Sequence, residues 1–154
     1  MGRLWGLASL LLLGACGTFH ARFNYDQEMG DEKQLQDIDL VWSTEDDDIA
    51  FQSDEDVYAW FDETTQRTSR LRRTDEGGVP LARTFLVEDD QLENKEIRLE
   101  CPSGARRLYV LVRSVRQLEG RKLFQEIVPD KIPGSFTVHF DREGLKDPAI
   151  RPTR

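Results

Sequence analysis

The side chains able to do chemistry in this chain are two cysteines, two histidines and a large excess of carboxylates, 29 acidic residues against 21 basic ones in 154. There is no Gly-x-Ser-x-Gly nucleophile elbow, and His20 and His139 stand apart from any Cys or Glu at metal-ligand spacing. Isolated histidines of this kind fit exposed positions better than ligand positions. The carboxylates are too numerous for a glycosidase-like pair to be picked out by counting. No catalytic residue and no cofactor is therefore assigned, and the chain is expected not to be an enzyme. One stretch invites a second expectation. Asp46, Asp48, Asp54 and Asp56, with Asp47, Asp89 and Asp90 nearby in sequence or fold, offer the oxygen donors that a hard cation such as calcium takes. Their spacing is not that of an EF-hand loop, and a run of charge is ordinarily a solvated loop.

The cysteines point elsewhere. Arg3 is the only charge before Cys16, Leu4 to Leu13 is almost wholly apolar, and Gly14 and Ala15 are small. A positive start, a short apolar stretch and small residues before a cut make a secretory signal over 1–15. Ten or so apolar residues are too few to cross a ~30 Å hydrocarbon layer as a helix. The segment Leu13-Gly14-Ala15-Cys16 resembles the lipobox of bacterial lipoproteins. That resemblance implies cleavage before Cys16 and acylation of its thiol. Several acyl chains hold a protein on a bilayer stably. Gly17 stands where an aspartate would signal inner-membrane retention in enterobacterial lipoproteins, so the resemblance implies the outer membrane, facing the periplasm. With Cys16 taken by lipid, Cys101 has no intrachain partner. It alternates with Ile97 and Leu99 and is expected to be a small buried apolar residue.

Cleavage after residue 15 leaves 139 residues, enough for one domain. It removes Arg3 alone, leaving 20 basic and 29 acidic residues and a net charge of −9. Such a balance argues against a nucleic-acid partner, whose phosphates need a basic surface. It also leaves membrane attachment to the acyl chains rather than to attraction by anionic lipid.

The elements that must carry these residues are short strands. Residues 16–36 are expected to be a tether behind the lipid, although Phe19, Ala21, Phe23 and Tyr25 alternate and allow an edge strand. Its ~20 residues would reach roughly 60 Å when extended. The domain proper is placed at 37–145. Asp37–Trp42 is the first secure strand, with Ile38, Leu40 and Trp42 on one face. Val57–Phe61 is expected to be a strand carrying Val57, Ala59 and Phe61 on one face, and Thr64–Arg73 an exposed strand or loop. Further strands follow at 81–87, 96–101, 108–115, 122–128 and 135–140, and 146–154 is expected to be a flexible tail. The sum is an all-β, small antiparallel β-sandwich. Trp42, Trp60 and Phe61 raise the alternative of glycan stacking, but their alternation with aliphatic residues favours core packing. Arg106, Arg107, Arg113, Arg116, Arg121 and Lys122 surround one hairpin. If they lie opposite the acidic loop, the domain is a charge dipole suited to steering a protein partner.

The segment 99–140 adds a second resemblance. A strand ends in Cys101-Pro102, Arg107-Leu108-Tyr109-Val110-Leu111-Val112-Arg113-Ser114 follows, Phe124 stands where a tryptophan is common, and Phe136 to Phe140 closes the domain. This pattern resembles the TssJ family of outer-membrane lipoproteins of type VI secretion systems. The Asn-Pro sequence usual between the first two strands is missing, and the acidic loop 43–56 takes its place. The resemblance implies a transthyretin- or C2-like sandwich without catalysis. It would act as an anchor or scaffold by binding a TssM-like inner-membrane protein. In that family the loop after the first strand joins the contact, which would put Ile49, Ala50 and Phe51 at an apolar tip within a charged rim. The competing expectation is a periplasm-facing sandwich that binds calcium or a glycan.

Overall fold

The computed structural model describes residues 17–25, 37–86, 96–113, 122–132, 134–141 and 144–153. Two four-stranded sheets pack face to face. One has the order β4 (Ile97–Glu100), β1 (Thr18–Tyr25), β7 (Ser135–Asp141), β8 (Gly144–Pro152). The other has the order β3 (Ala82–Leu86), β2 (Asp37–Thr44), β5 (Ala105–Val112), β6 (Phe124–Ile127). All neighbours are antiparallel except β1 and β7, which run parallel with His20 opposite Ser135 and Tyr25 opposite Phe140. The all-β sandwich is thus as expected, with one parallel pair in it.

The alternation along each strand explains which side is dry. Phe19, Ala21 and Phe23 of β1 meet Ile38, Leu40 and Trp42 of β2 and Phe136, Val138 and Phe140 of β7 in the core between the sheets. A second core lies on the outer face of the β2–β5 sheet. There Val41, Tyr109 and Leu111 are covered by Phe51, Val57 and Trp60. The strands β2 and β5 are therefore buried on both faces, and their seven- and five-residue buried runs follow from that.

Four sequence expectations fail here. Val57–Phe61 is helical, inside α1 (Asp54–Asp62), and Thr64–Arg73 is largely α2 (Thr64–Leu71). Ser53 caps α1: its hydroxyl accepts from the Asp56 backbone N–H, while Asp56 accepts from the Ser53 backbone N–H. Asp54, Glu55 and Asp56 fill the first turn, where the helix dipole favours anions. The buried residues are Val57, Trp60 and Phe61, a helical i, i+3, i+4 set, whereas Ala59 is exposed. Next, the proposed tether contains β1, an inner strand between β4 and β7. Finally, the proposed tail is β8, whose Pro148 and Pro152 sit on the outermost strand of its sheet, where a missing N–H is tolerated.

Candidate functional site

Strand polarity sorts the connections into two ends. Thr18 pairs with Glu100 at the start of β1, so Gly17 lies beside the Cys101–Gly104 turn. Thr44 pairs with Ala105 at that same end, which places the 45–53 loop there. The α2–β3 connection joins them, because Asp75 accepts the backbone N–H of Ser103 (2.8 Å) and of Val79 (2.8 Å). These bonds hold the Asp75 carboxyl below the usual carboxylate range. A cleft of about 380 Å³ opens among these loops, lined by Glu45, Asp46, Asp47, Asp75 and Glu76, with Arg73 among them. At the opposite end lie Tyr25, Leu86 and Val112, the last residues of β1, β3 and β5, and Arg113 N–H donates to Asp37 C=O there (2.8 Å). The described chain thus enters β1 at the Gly17 end and reaches the far end at Tyr25.

The apolar tip expected at 49–51 is not an exposed knob. Ile49 and Phe51 belong to the second core, and Phe51 stacks edge-on against Trp60 (5.6 Å) and Tyr109 (5.1 Å). Only Ala50 of the three is exposed. The loop is apolar in the middle because it roofs the β2–β5 sheet, and burial of this kind looks the same in sequence as a docking knob.

Nor are the candidate cation ligands brought together. Asp48 accepts from the Ser43 hydroxyl (2.8 Å), and Asp54 accepts from the Leu123 N–H (3.2 Å). Asp56 accepts from the Gln52 and Ser53 N–H groups, and those bonds depress its pKa. Asp46 lines the cleft. Among the described residues, no three His, Cys, Asp or Glu side chains converge as metal ligands would. Asp89 and Asp90 lie outside the described residues. Trp42, Trp60 and Phe61 are all buried, so they form no exposed stacking platform for a sugar. His20 and His139 lie on the outer face of the β1–β7 sheet, His20 beside Glu96 (3.0 Å) and His139 beside Asn24 (3.4 Å). Among the described hairpin cations, three face acids. Arg106 faces Glu45 of the acidic loop (4.0 Å), and Arg107 pairs with Glu126 (3.1 Å). Arg113 approaches Asp37 at the far end (3.9 Å), while Arg116 and Arg121 lie outside the described residues.

Sequence reasoning missed the cluster that fastens the helices. Asp39 is wholly buried on β2. Its Oδ2 accepts from Trp60 Nε1 (2.7 Å) and Arg67 Nε (2.7 Å), and its Oδ1 from Arg67 Nη2 (3.0 Å). Arg67 also reaches Asp37 (3.2 Å) and the Thr84 hydroxyl (3.0 Å), and its guanidinium lies over the Phe61 ring (5.0 Å). Bonding to Asp39 outweighs desolvation and raises the Arg67 pKa above its ordinary value. One turn later, buried Arg70 donates to the Trp42 (2.6 Å) and Asp47 (3.1 Å) carbonyls and pairs with the Asp47 carboxylate (2.9 Å). Arg67 and Arg70 sit three apart on α2 and therefore face the same way. The available signal was Asp39 itself, a charge in the middle of an apolar strand.

The lipidation position, Cys16, lies outside the described residues, as does the signal segment 1–15. Cys101 differs from its expectation. It packs partly buried against the core between the sheets, as its alternation implied, but it is disulfide-bonded. The chain has one other cysteine, Cys16. An intrachain bond would use the thiol that acylation needs.

These features define a class, a two-sheet β-sandwich with a helical pair roofing one outer face. Within this class, a solved structure of Serratia marcescens Lip, described as a membrane bound component of the type VI secretion system, is similar with a TM-score of 0.52. The likeness covers 90% of this chain and 99% of that one at 11% identity, so it is a likeness of fold. No protein-family model and no curated protein matches the sequence.

Proposed function

We propose that this chain is a non-enzymatic, lipid-anchored component of a type VI secretion membrane complex, held by acyl chains on Cys16 at the periplasmic face of the outer membrane. The observation that carries this proposal is the shared fold with a membrane-bound component of that system along nearly the whole chain. The lipobox-like Leu13-Gly14-Ala15-Cys16 supplies the anchor, and Gly17 favours the outer membrane. No helix among the described residues is long and apolar enough to cross a membrane.

The position of β1 changes what an anchor on Cys16 would do. With one residue between Cys16 and β1, the sandwich stands on the bilayer by its Gly17 end rather than on a long leash. The last residues of β1, β3 and β5, Tyr25, Leu86 and Val112, then lie on the side away from the membrane. The resemblance to the TssJ family assigns partner contact to the loop after the first strand. With β1 in place that loop is 26–36, outside the described residues, and no longer the stretch holding Ile49, Ala50 and Phe51. A partner spanning from the inner membrane, as a TssM-like protein would, meets that far end first.

The test is recovery of partners from detergent-solubilised envelope with the full-length chain as bait. Recovery of a large inner-membrane protein with type VI sheath and membrane-complex components encoded nearby is expected. Wild-type recovery of no inner-membrane protein, repeated with chemical cross-linking before solubilisation, would contradict the proposal.

A further inference from the structure

We propose that the outer edge of β3 is a strand-addition site for an extended segment of a partner protein, one that carries an aliphatic residue and a carboxylate. The site deepens the proposed function and rests on it only for the choice of another protein over a second copy. A sheet edge presents unpaired backbone N–H and C=O groups, and proteins ordinarily blunt it. Three edges of this sandwich are blunted by side chains. Arg83 Nη1 donates to the Arg98 C=O of β4 (3.0 Å), Gln125 Nε2 to the Glu126 C=O of β6 (3.1 Å) and Arg151 Nε to the Pro148 C=O of β8 (3.2 Å). Pro148 and Pro152 of β8 also lack an N–H. The fourth edge, β3, has no such cover among the described residues.

The register fixes which groups this edge offers. Trp42 N–H donates to Leu81 C=O (2.9 Å), so Leu81, Arg83 and Phe85 turn their backbone groups to β2, while Ala82, Thr84 and Leu86 turn theirs outward. Thr84 is exposed, and Leu86, at the far end of the strand, is 51% exposed. Beside the edge, on the inner side, the two sheets part in a cleft of about 160 Å³. Buried Leu40, Trp42 and Leu99 floor it, and Arg83, Arg98 and Glu100 line its mouth. Glu100 pairs with Arg98 (3.3 Å), whereas no carboxylate among the described residues pairs with Arg83. A strand added outside β3 turns alternate side chains toward this cleft. An aliphatic one fits its floor, and a carboxylate complements Arg83. A twofold pairing of two β3 strands is antiparallel and sends the two Gly17 ends opposite ways. Two copies held by that end on one bilayer cannot make it, so the occupant is another protein.

The experiment installs a photoreactive benzophenone side chain at Leu86 of the full-length chain in its own cells and identifies the cross-linked peptide by mass spectrometry. The expected product is a peptide of another envelope protein with alternating apolar residues and an Asp or Glu. Thr84→Pro removes an outward N–H and leaves the ladder to β2, whose bonds use Arg83 and Phe85. It is expected to lower the cross-link yield about tenfold. Thr84→Val keeps that N–H, loses the hydroxyl bonded to Arg67 and is expected to stay within about twofold of wild type. Arg83→Glu repels the expected carboxylate without touching the ladder; it should lower the yield severalfold, which covers a proline variant that fails to fold. A yield that neither Thr84→Pro nor Arg83→Glu lowers would overturn the site, as would a cross-link to a second copy or no cross-link at all. Recovery of the inner-membrane protein alongside any of those results leaves the type VI reading standing. A Thr84→Pro-sensitive cross-link to some other envelope protein, with no inner-membrane protein recovered, would support the site and contradict that reading.

Discussion

Replacing Asp39 by alanine should loosen the helical pair more than any surface change on it. The carboxylate is fully buried and accepts three bonds of 2.7, 2.7 and 3.0 Å from Trp60 and Arg67. Bonds to a charged group contribute about 1.5–3 kcal/mol each. Their sum overstates the loss, because removal of the carboxylate also removes its own desolvation cost and Arg67 retains Asp37 and Thr84. What remains is an indole N–H without its acceptor and a guanidinium short of its main partner, and breaking a buried pair in this way costs about 3–5 kcal/mol. With a urea slope of about 2 kcal/mol per molar, the unfolding midpoint should fall by about 1.5–2.5 M. Asp39→Asn preserves the shape and one acceptor oxygen and should fall about half as far. Tryptophan fluorescence, to which Trp60 contributes beside Trp42, is read with far-UV circular dichroism, which follows the helices. A midpoint within about 0.5 M of wild type for Asp39→Ala would refute the assignment of Asp39 as the fastening point.

Other outcomes follow from the same packing. Phe51→Ala should cost about 3–5 kcal/mol in thermal or urea unfolding, whereas Ala50→Asp should leave stability within about 0.5 kcal/mol; the reverse order would return the 49–51 stretch to the surface. Ser53→Ala should cost about 1 kcal/mol through loss of the α1 cap, read as a lower melting temperature. Asp56 and Asp75 have depressed pKa values from backbone N–H bonds. Their contribution is present above the unfolded value of about 4 and disappears as pH falls through the lower folded value. Urea midpoints measured from pH 5 downward should therefore fall, and less steeply in the Asp56→Asn, Asp75→Asn double variant. Parallel curves for the two proteins would contradict that assignment.

Most of the sheet was legible because period-two alternation survives wherever one face is dry, as in Ile38, Leu40, Trp42 and in Phe136, Val138, Phe140. The helices were not. Val57, Tyr58, Ala59, Trp60 and Phe61 satisfy a strand pattern as well as a helical one over five residues, and length alone arbitrates poorly at that scale. The deciding signal was Ser53-x-x-Asp56, a capping box with aspartate where glutamate is usual. The alternation of Phe19, Ala21 and Phe23 allows a strand, but its place next to a lipid attachment position suggests an edge at most, whereas β1 is an inner strand. Proline misled at the other end, since Pro148 and Pro152 are compatible with an edge strand as well as with a tail. Ile49 and Phe51 read in sequence as an apolar tip because core burial on an outer face and a docking knob leave the same apolar trace.

The most direct test of the account measures how far each end of the sandwich stands from the bilayer. A fluorophore is installed without cysteine chemistry at Ser103, on the Gly17 end, or at Arg113, on the far end, with energy acceptors in the lipid headgroups. The β5 strand between these positions has eight residues, which is roughly 26 Å of separation along the membrane normal if the strands stand upright. Strong transfer from Ser103, weak transfer from Arg113 and loss of both in Cys16→Ser are the predicted results. Equal transfer from the two positions, or transfer that persists in Cys16→Ser, would contradict a sandwich held on the membrane by that residue.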